Sequence, residues 1–402
     1  MNSESLRPED DASRADLSAC RVLVVDDATG IRKIIGAYLK SAGIVNVEYA
    51  NDGHDGLAKV DSFEPDLIIL DIMMPEMDGF EVCRRLRGDP RTQHLPILVQ
   101  TALETPSERT AVFRAGATDL ITKPIHGPEL VARVRVQLEN RQLIRSLENY
   151  RSSMETELDL ARQMQESLLP HNGVKLRLAG SAGLRVESHF QPSAELGGDM
   201  WTIHELGDDR IGVASVDFSG HGVTAALNTF RLHTLMHQMP PPDPDQPGAY
   251  LAELNRQLVD LLPVHQFATM FYGVIDTRRG VLTYSGAGAP CPIFGSAGGG
   301  LDELDASGLP LGITRRATYS DMCVPFPEGS FLLLYSDALV ETADLAGGNL
   351  GQAELLEMVR ASLDDVEAGS PLSSLLRRFR DNREPLSDDL TMVWLSHEAA
   401  VE

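Results

Sequence analysis

The most constraining feature of the sequence is a series of short apolar runs between residues 21 and 138. They read RVLVV, VEYA, DLIIL, ILVQT and DLITK, and a helix-length stretch separates each run from the next. Strands without polar alternation are buried on both faces, and strands that alternate with helices form parallel sheets. The pattern therefore predicts an α/β fold with a doubly wound, five-stranded parallel sheet over residues 20–138.

Four of these runs end on polar residues that could bind a metal ion or a phosphoryl group. Parallel strands collect such residues at the carboxyl edge of their sheet. Carboxylates that meet there repel one another unless a divalent cation joins them, and Mg²⁺ prefers oxygen ligands. One aspartate alone could equally be a helix cap, but several strand ends together favour a site in which a carboxylate attacks phosphorus while a lysine and a hydroxyl bind its oxygens. The residues at these ends are Asp26, Asp27, Asp71, Thr101 and Lys123.

The motifs VVDD, LDIMMPEMDGFEVCRRLR, LPILVQTA and GATDLITKP resemble those of the response-regulator receiver family. The resemblance covers the whole segment and implies that Asp71 accepts a phosphoryl group from a histidine kinase. Leu120 departs from the family, in which an aromatic residue at this position usually rotates to signal phosphorylation. The implied Mg²⁺ ligands are Asp26, Asp27, Asp71 and the main-chain carbonyl of Met73, and the implied phosphoryl contacts are Thr101 and Lys123.

Residues 133–169 contain neither glycine nor proline and follow a heptad repeat. Eight of the ten a and d positions are apolar, which favours a coiled coil; a long helix packed on its own domain is the alternative. Pro170 and Gly173 are expected to end the helix. We therefore predict a coiled-coil linker helix over residues 133–170 and a parallel homodimer. The a and d series is Val136, Asn140, Leu143, Leu147, Tyr150, Met154, Glu157, Ala161, Met164 and Leu168.

Residues 174–397 read as many short strands with two or three helices, and one predicted hairpin carries paired aspartates. Its turn lies at Gly207–Asp209, and pairing of Leu206 with Arg210 places Asp199 opposite Asp217; a four-residue loop would shift the register by one. Directly opposed side chains lie roughly 5 Å apart, and like charges at that distance destabilise a hairpin. A cation between the two carboxylates is the simplest explanation.

Two further apolar runs bring aspartates to the same edge. FLLLYSD ends at Asp337, and SDDLTMVWL begins with Asp388 and Asp389. A strand that ends and an antiparallel strand that begins lie at one sheet edge, so four aspartates can converge there. Such a set can hold two metal ions about 4 Å apart, which bind phosphate oxygens and lower the pKa of a bridging water.

The segment also resembles the bacterial PP2C-like serine/threonine phosphatases of the sporulation and stress-regulator branch. The matching motifs are QESLLP, GGDMW, VDFSGHGVTAAL, FATMFYGVID, YSGAGAP, GLPLGI, LLLYSDALVE and SDDLTMVWL. The resemblance implies a sandwich of antiparallel sheets flanked by helices, with two Mn²⁺ or Mg²⁺ ions. Asp388 is preferred to Asp389 because the first residue of the pair is the ligand in the wider class. The implied ligands are Asp199, Asp217, the main-chain carbonyl of Phe218, Asp337 and Asp388.

Three positions depart from that branch without removing a ligand. Thr202 stands where aspartate is common, Ala289 where histidine is common, and Ser336 where threonine is usual. The resemblance therefore still implies an active enzyme, and the departures affect only expected substrate contacts.

Two small motifs suggest other chemistry but are better explained as structural. Ser219 and His221 are two residues apart, point in different directions and lack a third orienting group, which argues against a nucleophile–base pair. His233 and His237 have the i, i+4 spacing of a zinc helix but lack the glutamate of HExxH. We expect these two histidines to be partly buried core residues.

Composition excludes several classes of protein. A formal charge of −24 argues against direct binding of nucleic acid. Four scattered cysteines without a CxxC pair argue against disulfides or cysteine-bound zinc and suit a reducing cytoplasm. No apolar run reaches the roughly 18 residues of a membrane span. The polar, acidic residues 1–19 read as a disordered lead-in rather than a signal peptide.

Together these features predict a cytoplasmic two-component response regulator with a receiver, a coiled-coil linker and a phosphatase domain. Phosphorylation of Asp71 by a histidine kinase would control hydrolysis of phosphoserine or phosphothreonine, and the resemblance suggests an anti-sigma-factor antagonist as substrate. The main alternative is a non-enzymatic adaptor that binds a sigma factor or anti-sigma partner. A DNA-binding response regulator is disfavoured by the negative charge and by the lack of a basic recognition helix.

Overall fold

The computed structural model describes residues 17–102, 105–207, 209–220, 222–296, 299–343, 348–365, 369–381, 386 and 388–398. Most of the predicted lead-in, and His221, lie outside the described residues. Internal contacts divide the chain into two compact units, Met1–Ser153 and Met154–Glu402. In the described part of the chain, no helix is both long and apolar enough to cross a membrane.

The first unit contains the predicted parallel sheet, with strand order β2-β1-β3-β4-β5. The three central strands of this sheet bury both faces, because consecutive side chains of the same strand pack into two separate cores. Val22 and Val24 face one core, whereas Leu23 and Val25 face the other. The elements are β1 Arg21–Val25, α1 Thr29–Ser41, β2 Asn46–Ala50, α2 Gly53–Phe63, β3 Leu67–Asp71, α3 Gly79–Gly88, β4 Ile97–Thr101, α4 Pro106–Arg114 and β5 Asp119–Thr122.

A single helix, α5, spans Gly127–Glu166 and begins in the first unit and ends in the second. Leu130, Val134 and Leu138 pack into the core of the parallel sheet. Beyond them, most side chains of α5 are exposed. The helix ends before Pro170, but the next helix, α6 (Asn172–Ala182), passes through Gly173, which sequence reasoning had treated only as a terminator.

The second unit is a sandwich of two antiparallel five-stranded sheets with helices on both outer faces. One sheet has the order β13-β10-β9-β8-β7 and the other β12-β11-β14-β15-β6. The described residues hold six helices here, including α6, where two or three were predicted. The elements are β6 Leu184–Gln191, β7 Asp199–Gly207, β8 Arg210–Phe218, α7 Val223–Gln238, α8 Pro247–Leu261, β9 Ala268–Asp276, β10 Val281–Ala287, β11 Ile293–Gly295, β12 Leu301–Glu303, β13 Met322–Pro325, β14 Phe331–Tyr335, α9 Ala338–Glu341, α10 Gln352–Leu363, α11 Pro371–Arg380 and β15 Leu390–His397.

Three cores hold this sandwich together. The central core lies between the sheets, where Trp201 and Phe271 of one sheet pack with Leu332 and Val393 of the other. A second core joins α7 and α8 to the first sheet, and a third joins α10 and α11 to the second sheet. The predicted fold class is confirmed for both units.

The hairpin of β7 and β8 has the predicted register at its functional end. Asp199 pairs with Asp217, and the same register continues to Glu205 and Ile211. A β-bulge then shifts the pairing, so Arg210 lies opposite Gly207 rather than Leu206. The extra residue offsets the shifted pairing at the turn, so the two aspartates lie directly opposite each other.

Candidate metal centres

In the first unit, the polar strand ends converge on one carboxylate cluster. Ligand oxygens of Asp26, Asp27 and Asp71 all lie within 4.8 Å of one another. Lys123 Nζ lies 2.8 Å from Asp71 Oδ2 and 3.4 Å from Asp26 Oδ2. The cluster combines three oxygen donors for a divalent cation with one cation that can bind phosphoryl oxygens.

Burial makes the ionised carboxylates of this cluster unfavourable unless a cation is bound. Asp26 is fully buried, and burial raises the pKa of its carboxyl group above the ordinary value. Hydrogen bonding from the Ala28 amide and the charge of Lys123 act against the rise, while the charge of Asp71 adds to it. A bound divalent ion would favour the ionised carboxylates that burial disfavours.

The remaining predicted receiver residues lie where their strands place them. Thr101 is the buried last residue of β4, next to Asp71 on β3 in the sheet. Met73 follows β3 by two residues, and its side chain is exposed, so only its main chain is suited to an inward role. Leu120 is half-buried on β5, opposite Val99. The assigned roles of these residues stay predictions.

The second unit places its aspartates at one edge of the sandwich. Asp199 begins β7 and is buried, Asp217 is the penultimate residue of β8, and the two residues lie directly opposite each other in the hairpin. Thr391 Oγ1, on the other sheet, donates to Asp199 Oδ2 at 2.5 Å. The hairpin register and this contact between the sheets together hold the Asp199 carboxyl group.

Asp337, Asp388 and Asp389 reach the same edge from the second sheet. Asp337 lies at the N-terminus of α9, directly after β14, and the Asp388–Asp389 pair precedes β15. The Ser336 hydroxyl donates to the Asp389 carbonyl at 2.7 Å and accepts from the Thr391 amide at 2.8 Å. Serine at position 336 thus ties the two strands together behind the carboxylates.

The two neighbouring aspartates 388 and 389 differ in what surrounds them. Asp389 is buried, and its carboxylate accepts from Ser193 N at 2.7 Å and from Gly198 N at 2.5 Å. Asp388 is half-exposed, and one of its oxygens accepts from the following amide of Asp389. The oxygens of Asp389 are therefore engaged in holding the loop before Asp199, which supports the preference for Asp388 as a metal ligand.

Gln165, near the end of α5, holds the same loop and was missed as a functional candidate. It is 2% exposed. Its Nε2 donates to the Gly197 carbonyl at 2.6 Å, and its Oε1 accepts from the Gly197 amide at 3.1 Å. The motif QESLLP contains Gln165, but no local pattern indicates a partner on a distant loop.

The clustered carboxylates strongly disfavour ionisation in the absence of a cation. Burial and the charge of Asp217 raise the pKa of Asp199 well above its ordinary value. Burial and the charges of Asp337, Asp388 and Asp389 raise the pKa of Asp217 to about 8. Burial, Glu341 and Asp388 raise the pKa of Asp337 to about 6. Bound cations would offset this repulsion.

The two centres differ in how closely their carboxylate oxygens approach one another. Among the described residues, only the cluster of Asp26, Asp27 and Asp71 brings three ligand atoms within 4.8 Å of one another. The aspartates of the second unit interact electrostatically but do not gather around a single point.

The small motifs have structural roles where the structure describes them. The Ser219 hydroxyl accepts from the Phe267 amide at 3.0 Å, which supports a structural role rather than nucleophilic attack. His233 is half-buried, as expected, but His237 is exposed, because it lies at the last turn of α7.

Comparisons with known proteins agree with this division. A family model described as the response regulator receiver domain matches residues 22–135, and one described as stage II sporulation protein E (SpoIIE) matches residues 207–398. The chain thus joins a receiver domain to a SpoIIE-type, PP2C-like domain. The second match includes Asp217, Asp337 and Asp388 but begins after Asp199.

Individual curated relatives match part of this chain. Response regulator PleD of Caulobacter vibrioides is 32% identical over 263 residues, which is 61% of this chain and 55% of that protein. Response regulator MprA of Mycobacterium tuberculosis is 47% identical over 118 residues, 29% of this chain and 50% of that protein. The chain thus spans about half the length of the curated relatives it matches.

A solved structure supports the fold of the second unit. The SiaA-PP2C domain of Pseudomonas aeruginosa aligns with a TM-score of 0.52 at 21% identity, covering 61% of this chain and 98% of that chain. At this identity the likeness concerns the fold.

Proposed function

We propose that the protein is a metal-dependent phosphoserine/phosphothreonine phosphatase whose activity is controlled by phosphorylation of Asp71. The observation that carries the proposal is the retention of a complete set of aspartates at one edge of a PP2C-like sandwich. A degraded domain that serves only as an adaptor has no need to keep four mutually repelling carboxylates there.

The ligands we assign are those that remain once structural contacts are accounted for. Asp199 and Asp217 face each other on one hairpin, and Asp337 and Asp388 approach from the other sheet. The Phe218 carbonyl lies close to Gly198, where an added Cβ would meet it at 2.9 Å. Mn²⁺ or Mg²⁺ ions held by these oxygens would supply a water of lowered pKa next to the bound phosphate.

The receiver supplies the control point. Asp71 has Lys123 at 2.8 Å and two further carboxylates within Mg²⁺-binding distance, which suits acceptance of a phosphoryl group from a histidine kinase. Leu120 lacks the aromatic ring that usually reports phosphorylation. We therefore assign the output route to α5, whose first turns pack in the receiver core.

Helix α5 has the surface expected of one strand of a coiled coil. Six of its eight exposed large apolar residues lie at the predicted a and d positions, and the other two are Ile144 and Leu160. An apolar stripe of this length is typical of a helix that packs on a partner helix. We assign the partner to a second copy of this chain, so the protein would be a homodimer. The exposed members of the stripe are Val136, Leu143, Leu147, Tyr150, Met154 and Met164.

The end of α5 directly contacts the loop between β6 and β7, residues 192–198, which we call the phosphatase loop. Gln165 bonds both polar groups of Gly197, and the next amide, Gly198, donates to Asp389. A displacement of the helix end would thus be transmitted to the loop that leads into Asp199. This contact is the step by which the state of α5 would change the metal centre.

The proposed substrate is a phosphoserine or phosphothreonine protein of the anti-sigma-factor antagonist type. Support comes from the resemblance of the motifs to the sporulation and stress-regulator branch. The alternative, an adaptor that binds a sigma factor or anti-sigma partner, predicts binding without turnover.

The test is hydrolysis of para-nitrophenyl phosphate and of a phosphoserine peptide by the full chain, with Mn²⁺ and with EDTA. We expect Mn²⁺-dependent turnover that Asp217→Asn reduces to the EDTA level, because this substitution removes a ligand at the centre of the cluster. Asp276→Asn, at the far end of the neighbouring strand β9, is the matched control. Equal turnover by the wild-type and Asp217→Asn chains would contradict the proposal.

A further inference from the structure

A cavity in the second unit is lined by four histidines that have no part in the proposed phosphatase site. It has a volume of about 410 Å³ and lies between the turn after α5, strand β7 and helix α7. Ser167, Leu168 and Pro170 form one wall. The histidines are His171, His204, His233 and His237.

Two of these histidines lie on the same face of α7. The ring centroids of His233 and His237 are 4.6 Å apart, as their i, i+4 spacing requires. No described residue forms a hydrogen bond with either ring. Two imidazoles one helical turn apart, without partners and facing a cavity, form a chelating pair.

A third histidine faces them from β7 and is held in place. His204 Nε2 lies 3.2 Å from the Tyr272 hydroxyl, and the two rings stack at 6.0 Å. Gly212 lies opposite His204 in the hairpin, and a Cβ there would come within 2.6 Å of His204 Nε2. The sequence thus leaves space for this ring and provides a hydroxyl oxygen that accepts from Nε2–H in the tautomer whose Nδ1 keeps its lone pair for a ligand.

We propose that the cavity binds one divalent transition-metal ion of the Zn²⁺ class through His204, His233 and His237, with His171 at the rim as a fourth ligand. Imidazole nitrogen prefers such ions to Mg²⁺, whereas carboxylate oxygen prefers Mg²⁺ and Mn²⁺. The second unit would therefore bind two chemically different kinds of metal ion. This proposal does not rest on the phosphatase function.

The electrostatics of the cavity favour the ligating form of the imidazoles. Burial, and then the proximity of His237, lowers the pKa of His204 to about 4 and lowers that of His233. Neutral imidazoles carry the lone pair that a metal ion requires. The three nitrogens do not yet lie within 4.8 Å of one another, so binding includes rotation of the exposed His237 ring toward the other two.

A bound ion would also order the chain beside the phosphatase loop. His171 directly precedes α6, and Ser167–Pro170 follow Gln165, which holds Gly197. Linking His171 to β7 and α7 would restrain the turn between α5 and α6. We therefore expect Zn²⁺ to raise the thermal stability of the second unit.

The test is a Co²⁺ titration of the untagged, full-length, metal-free chain in excess Mg²⁺, read by visible absorption and checked by Zn²⁺ competition. We expect one Co²⁺ per chain with a tetrahedral spectrum, displaced by Zn²⁺. His237→Gln alters an exposed side chain and should weaken binding at least about tenfold, and His233→Gln with His237→Gln should abolish the spectrum. His94→Gln, an exposed receiver histidine, is the matched control.

Two outcomes would overturn the proposal. One is absence of the Co²⁺ spectrum from the wild-type chain, and the other is an unchanged spectrum in the double variant. Asp217→Asn separates this site from the carboxylate centre: it should leave the Co²⁺ spectrum intact while removing Mn²⁺-dependent turnover. A spectrum lost in Asp217→Asn but kept in the double variant would assign the ion to the carboxylates.

Discussion

At the scale of single residues, charges are arranged so that binding a cation is coupled to releasing protons. Asp217 is surrounded by Asp199, Asp337 and Asp388 in a buried setting, and its pKa rises to about 8. At a pH between these two values, the folded, metal-free protein therefore keeps a proton on Asp217. The unfolded chain has lost this proton, because its carboxyl pKa is near the ordinary 3.8. Raising the pH from about 4 to about 8 consequently lowers the stability of the metal-free fold.

This coupling predicts proton release when the metal binds. Titration of the metal-free chain with Mn²⁺ at pH 7 should release about one proton or more per chain, seen as a binding enthalpy that changes with the ionisation enthalpy of the buffer. At pH 9 the release should fall, because Asp217 has already ionised. A binding enthalpy that is the same in all buffers at pH 7 would contradict the assignment.

The aspartate pair 388 and 389 should separate metal binding from stability. Asp389→Asn places an amide group against the donors Ser193 N and Gly198 N, so it should cost about 1–3 kcal/mol of unfolding free energy. Asp388→Asn should instead weaken Mn²⁺ binding with a small effect on stability. Thermal unfolding without metal, together with Mn²⁺ titration, distinguishes the two. The assignment of ligands would be wrong if Asp389→Asn weakened Mn²⁺ binding and Asp388→Asn lowered stability.

Local sequence patterns predicted the positions of the carboxylates but not what holds them. Asp71 and Asp337 follow apolar strands, so neighbouring residues determine their positions. The Asp199–Asp217 pairing was predicted from a Leu206–Arg210 pair that does not form, and it depends on the bulge as well as on the turn. The contacts of Thr391 with Asp199 and of Gln165 with Gly197 depend on the packing of distant segments, which no periodicity reveals. The bulge at Leu206 was likewise missed, because turn length alone does not determine where an extra residue sits.

At the scale of elements, helix α5 has two different sections. Its first turns bury Leu130, Val134 and Leu138 in the receiver core, whereas the later a and d positions are exposed. Only Gln165, near the end, is again buried. The heptad pattern predicted the middle section, but the packed start lies partly before residue 133, and the buried end is visible only in the structure.

The end of α5 should control the phosphatase loop. Gln165→Leu removes both hydrogen bonds to Gly197 and leaves its buried amide and carbonyl without partners, at a cost of about 1–3 kcal/mol. We expect faster amide exchange at Gly197 and Gly198 and weaker Mn²⁺ binding. Gln163→Leu, which is exposed on the same helix, is the control. Equal exchange and equal Mn²⁺ affinity in both variants would exclude transmission through Gln165.

The middle section of α5 should determine the oligomeric state. Leu147→Asp puts a charge at a position of the predicted a and d series that is 59% exposed in the single chain. Burial of that charge in a dimer should weaken association at least about tenfold, or about 1.4 kcal/mol. Sedimentation of the full chain measures this, with the exposed f-position change Ser152→Asp as control. A monomeric wild-type chain would refute the dimer.

At the scale of the whole molecule, the chain combines two chemically parallel centres. In each, strands deliver aspartates to one edge of a sheet, and burial together with mutual repulsion creates a demand for cations. They differ in what accompanies the carboxylates: Lys123 lies within 2.8 Å of Asp71, whereas a hydroxyl and backbone amides surround the second set. The first arrangement suits holding a phosphoryl group, and the second suits attack by metal-bound water.

The continuity of α5 also limits how its length can change. A helix of 40 residues without a break extends about 60 Å at 1.5 Å per residue, and each added residue turns everything beyond it by about 100°. Seven added residues return the helix to within about 20° of its original phase. Insertions of seven residues after Tyr150 should therefore preserve both the apolar stripe and the direction in which Gln165 points. Insertions of two residues should rotate the glutamine away from the stripe by about 200°. In the proposed dimer, α5 could then contact either a partner helix or the loop before Asp199, but not both.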